Sequence, residues 1–114
     1  MITFAGLLEA MKATGVPFAA FAWSPGPLDA AAWGVVSIDG GVELTGDDTH
    51  AEDGLIGTID LFTRRLDATD FRAVTEKLIG LDLAWRLNSV QYEDERRLLH
   101  YEWVWESAAP AIFE

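Results

Sequence analysis

The chain has 114 residues, half of them apolar, with five tryptophans and no cysteine. A chain of this size buries about two-thirds of its surface, enough for one core, and the missing cysteines exclude disulfides, thiol catalysis and cysteine-rich zinc sites. Nineteen acids against eight bases, net charge -11, argue against gripping nucleic acid or an anionic membrane through charge, and the apolar share is too high for an acidic disordered chain.

The start, Met1-Ile2-Thr3-Phe4, carries no basic run and does not read as a secretory signal. The apolar stretch from Val16 to Trp23 falls far short of the roughly 20 residues that span a bilayer, so an intracellular protein is expected.

Phe4, Leu7, Leu8 and Met11 recur at helical spacing, with Thr3 placed to cap the start and Gly15 to end the helix. Val16-Pro17 then forces an extended path into a short strand, Phe18 to Trp23, which Ser24-Pro25-Gly26-Pro27 breaks. A second strand is predicted from Ala32 to Ile38. Asp39-Gly40-Gly41 reads as a tight turn into a short return strand, Val42-Glu43-Leu44. Residues 46–54 are acidic with almost nothing to bury and read as a solvated loop. A strand follows from Leu55 to Thr63.

Phe71, Val74, Leu78 and Ile79 predict a second helix, with N-cap candidates among Asp67 to Asp70 and closure at Gly80. Strands at Ala84 to Tyr92 and Arg97 to Glu106 flank Glu93-Asp94-Glu95-Arg96, a polar connection that suits an antiparallel hairpin. In the last strand Leu99, Tyr101, Trp103 and Trp105 face one way, and Leu98, His100, Glu102, Val104 and Glu106 the other. The expected fold is α+β: a mainly antiparallel sheet of four to six strands with two helices on one face. It forms a single domain over residues 1–106, followed by a tail over 107–114.

Catalytic signals are absent. No serine lies in a nucleophile elbow, and the two histidines, one in a loop and one on a strand, give no hint of the orienting acid a triad needs. Asp47, Asp48, His50, Glu52 and Asp53 would suit a cation, but the alternating ligands and central glycine of a calcium loop are missing, so no metal or cofactor is assigned. Glu93 and Glu95 sit on a wet hairpin tip where a carboxylate pKa shifts little. The aromatic set of Tyr92, Tyr101, Trp103 and Trp105, with Trp85, reads first as a core face. Its other readings are a stacking platform, for which the basic groove is missing, or a protein contact at Trp103 and Trp105, to which the tail residues Ile112 and Phe113 would add.

Taken in order, several segments resemble the small tail-completion or tail-terminator proteins of long-tailed bacteriophages and prophages. They are the opening helix running through Leu7-Leu8-Glu9-Ala10-Met11 to Gly15-Val16-Pro17-Phe18, the extended Ala32-Trp33-Gly34-Val35-Val36 and the polar loop from Asp47 to Gly54. The strand Thr58-Ile59-Asp60-Leu61-Phe62-Thr63 and the ending Tyr92-Glu93-Asp94-Glu95 to Leu99-His100-Tyr101-Glu102-Trp103 complete the set. The chain departs from the family at Thr49-His50, where members often carry a lysine and a tyrosine.

The resemblance implies a structural, non-enzymatic role in virion assembly: a ring, commonly a hexamer of the chain, that caps the tail tube and receives the head. The tail-tube and head-connector proteins would be its partners. It would work at the head–tail interface of the virion and in the host cytoplasm during assembly, and DNA would pass through without specific binding. An acidic lumen repels phosphate, and a head-to-tail ring needs two different complementary faces per subunit. The loop from Asp47 to Asp53 is expected to face the lumen or the tube protein. The alternative is a monomeric or dimeric binding module that uses the aromatic strand for a ligand or protein partner.

Overall fold

A computed structural model describes residues 2–22, 30–45 and 51–108. The elements are α1 (Phe4–Lys12), β1 (Phe18–Ala20), β2 (Ala32–Thr45), β3 (Ala51–Thr63), α2 (Thr69–Ile79), β4 (Ala84–Glu93) and β5 (Leu98–Ala108). They build an α+β fold with one five-stranded sheet, in the order β1-β2-β3-β5-β4, antiparallel throughout except where β1 runs parallel to β2.

α1 begins as its sequence dictates: the Thr3 side chain accepts a hydrogen bond from the Gly6 N–H at 2.9 Å, satisfying a free donor of the first turn. Gly15 has φ 90, a left-handed conformation that glycine adopts without Cβ strain. Leu7 and Met11 of α1 and Val74 and Leu78 of α2 are fully buried. Register puts the opposing residues on the same face: Trp105, Trp103 and Tyr101 of β5 lie across from Gly57, Ile59 and Leu61 of β3. Phe4 of α1 packs on Trp105, and Phe71 of α2 on Tyr101 and Trp103, so both helices cover this one face.

Trp103 and Trp105 have 0% exposure. Their expected part in a surface contact is corrected here, because the helices roof both rings and make them core. Trp105 lies over Gly57, where a Cβ would run into the Trp105 ring and the Ser37 carbonyl, and Phe18 lies over Gly34 in the same way. These glycines are sites where rings approach the backbone.

α2 is tied to the sheet by a buried acid. Asp70, 6% exposed, accepts from the Thr63 hydroxyl at 2.6 Å and from Arg65 at 2.9 and 3.0 Å. Of the expected caps, Asp67 accepts from the Thr69 N–H at 3.1 Å, while the N-cap itself is Ala68 at φ 65.

The tight turn expected at Asp39-Gly40-Gly41 does not form. β2 continues through it, and the register steps from Ile38↔Gly57 to Gly40↔Ile56, leaving Asp39 as the extra residue of a β-bulge. β2 and β3 stay paired to Thr45↔Ala51, which corrects the expected loop over 46–54: residues 51–54 are strand. β5 likewise runs two residues into the expected tail, with Ser107 and Ala108 opposite Leu55 and Gly54. The first strand ends at Ala20, and its expected extension to Trp23 does not form through Phe21 and Ala22. Among the described residues, no helix is long and apolar enough to cross a membrane.

Two measurements test this core. Gly57→Ala should cost about 2–3 kcal/mol in urea unfolding, as overpacking against backbone and a fixed ring does, whereas Gly40→Ala, with no atom within 4 Å of the added carbon, should change little. Burial pushes the Tyr101 phenol above its ordinary 10.0, and the nearby Asp70 and Asp67 carboxylates add to the shift. The group therefore contributes stability that is complete below pH 10 and lost as pH rises through its folded-state value. Wild type should lose stability relative to Tyr101→Phe as pH rises above 10, and parallel profiles would contradict this.

Candidate functional site

The helices roof β5 and the middle of the sheet but leave two surfaces. One is the edge strand β4. Trp85, Leu87, Val90 and Tyr92 sit opposite Trp105, Trp103, Tyr101 and Leu99, and therefore point to the helix side. Trp85 is partly buried against the core, whereas Leu87, Val90 and Tyr92 are 41%, 49% and 51% exposed. A bulge at Asn88 makes this row continuous: the register moves from Leu87↔Trp103 to Ser89↔Glu102. With Asn88 taken out of the alternation, Val90 and Tyr92 fall on the same side as Trp85 and Leu87. Ile79, 68% exposed at the end of α2, adds a further apolar side chain to the surface.

The other surface is the helix-free face of the sheet. Its centre is an aromatic stack: Trp33 on Phe62 at 5.6 Å and Phe62 on His100 at 4.3 Å between centroids. Two guanidinium groups lie over it, Arg64 on Trp33 and Arg96 on Phe62, at 5.2 and 5.6 Å. Beside the stack runs a polar ladder. The hydroxyls of Ser37 and Thr58 are 2.9 Å apart, and Thr58 donates to Asp60 Oδ2 at 3.0 Å. Asp60 Oδ1 meets His100 Nε2 at 2.7 Å. Glu102 lies directly across from Asp60 in the β3–β5 register and accepts from Asn88 Nδ2 at 2.8 Å. One ligand atom from each of Asp60, His100 and Glu102 lies within 4.8 Å of the others, the arrangement on the described surface that fits a metal ion.

Of the residues singled out in the sequence, Asp47, Asp48, His50, Ile112 and Phe113 lie outside the described residues. Glu52 and Asp53 belong to β3, opposite Leu44 and Glu43. Trp103 and Trp105 are core. Sequence reasoning missed both surfaces. The signal for the first was a change of phase in β4, apolar at 85 and 87 and then at 90 and 92. For the second it was the paired i, i+2 spacing of Asp60 with Phe62 and of His100 with Glu102 on two neighbouring strands.

The sequence matches no known protein-family model, and comparison with curated proteins finds no match.

Proposed function

We propose that this chain is a structural assembly subunit, a ring-forming tail-completion protein of a long-tailed phage or prophage that closes the tail tube and receives the head. The observation that carries the self-assembly part is the β4 edge: a ten-residue strand with a row of exposed Leu87, Val90 and Tyr92. A strand with one edge left unpaired and an apolar row along it is a template for another chain. The opposite side of the sheet offers a different edge, because β1 pairs with β2 only from Gly34 to Val36 and, among the described residues, no strand lies beyond that. Two unlike edges joined head to tail give a heterologous contact, which closes into a ring when the rotation allows. The resemblance supplies the setting in a phage tail, and the net charge of -11 agrees with a channel that DNA crosses without being held.

The alternative, a monomeric or dimeric module that binds a ligand or protein through the aromatic strand, has Trp103 and Trp105 buried, which leaves it the β4 row as a surface for a different partner. Light scattering on a sizing column separates the two. Wild type should show a mass that rises with concentration from 12.5 kDa to several times that value. Leu87→Lys/Val90→Glu should reduce it to the monomer with an unchanged circular dichroism spectrum, since both side chains are already about half exposed. A wild-type monomer at every concentration, or a charged double variant of unchanged mass, contradicts self-assembly through β4. The tail setting is tested separately by adding purified tail tubes, which should be capped at one end by the wild type and not by the variant.

A further inference from the structure

We propose that Asp60, His100 and Glu102 form a binding site for one divalent ion of the zinc type on the helix-free face of the sheet. The first argument is electrostatic. Asp60 and Glu102 are direct cross-strand partners, and like charges placed opposite one another destabilise a sheet. Among the described residues neither carboxylate forms an ion pair with lysine or arginine. Asp60 meets His100, and Glu102 meets the neutral Asn88. A cation between the two carboxylates removes this repulsion, and the imidazole beside them supplies a nitrogen ligand.

The second argument is that each ligand is already held from behind, as metal ligands are. Thr58 donates to Asp60 Oδ2 and leaves Oδ1 directed at the site. Asn88, turned out of the β4 alternation by its bulge, holds Glu102 Oε1. The His100 ring is fixed by its stack on Phe62, which in turn stacks on Trp33 and has the Arg96 guanidinium over its ring. The His100 and Asp60 side chains are 21% and 18% exposed, which limits competition from water while leaving one side open to solvent.

The donor set selects the ion. One imidazole with two carboxylates suits zinc and its neighbours in the transition series, whereas magnesium and calcium prefer oxygen donors throughout. Zinc bonds of about 2.0–2.2 Å place tetrahedral ligand atoms about 3.4 Å apart. The 2.7 Å separation of His100 Nε2 and Asp60 Oδ1 therefore opens slightly, and the Glu102 carboxylate swings in from within 4.8 Å by about an ångström. Nε2 must present its lone pair, so the neutral ring carries its proton on Nδ1, and any imidazolium present releases one proton on binding. Solvent fills the remaining position.

Calorimetric titration of the full chain with zinc chloride, in a buffer that does not chelate, tests the site. One zinc per chain is expected, with magnesium failing to compete. His100→Gln and Glu102→Gln should each weaken binding at least tenfold, while His50→Gln leaves it unchanged. No saturable zinc binding, unchanged binding by a folded His100→Gln chain, or loss of binding in His50→Gln overturns the proposal, the last by assigning the ion to the acidic stretch over 47–53. A second measurement needs no variant: in wild type, the His100 Nε2 nitrogen resonance should shift on zinc saturation. An unshifted resonance at saturating zinc overturns the proposal even if the variants fail to fold.

Discussion

The seating of Trp105 on Gly57 is the contact on which the rest of the structure depends. A ring of that size can approach a strand closely only where the strand has no side chain, and β3 supplies a glycine directly across from it. With the ring seated there, Phe4 of α1 packs against it, and Trp103 and Tyr101 take Phe71 of α2 in the same layer. Phe18 on Gly34 repeats the device at the other side of the sheet, next to β1. One face is thereby closed by two short helices, neither of which would be stable alone in water.

Closing one face decides what the others can do. Two helices of nine and eleven residues cannot cover five strands, and the row left uncovered is the one farthest from α1, on β4. Chains usually blunt such an edge with charge or a proline. β4 instead carries apolar side chains on the helix side and keeps Arg86, Asn88 and Gln91 among its exposed residues. Its bulge serves both surfaces: it brings Val90 and Tyr92 into the apolar row and turns Asn88 toward Glu102. The apolar edge and the polar ladder thus share one irregularity in one strand.

Much of this was legible in the residues. Thr3, the Leu7 and Met11 stripe and Gly15 define α1, and the alternation from Leu99 to Trp105 gives both the strand and its buried side, because period and capping are local properties. The errors arose where a local signal met a longer-range one. Asp39-Gly40-Gly41 has turn composition, yet the pairing of β2 with β3 carries the chain straight through, and the misfit is absorbed as a bulge rather than a reversal. Glu52 and Asp53 look like loop residues until β2 provides partners for their backbone. The polar ladder was illegible for a different reason. Asp60 and His100 are forty positions apart, and only the β3–β5 register makes them neighbours.

The central claim is that β4 is an edge the molecule covers with another copy of itself. Hydrogen exchange read by mass spectrometry at low and high protein concentration tests it most directly, because the amides of an edge strand exchange readily until a second strand accepts their hydrogens. Slowed exchange at high concentration, concentrated in residues 84–93 and in the β2 segment after Val36, is the predicted result. Exchange in β4 that stays fast while protection grows elsewhere, or that does not depend on concentration, would contradict it.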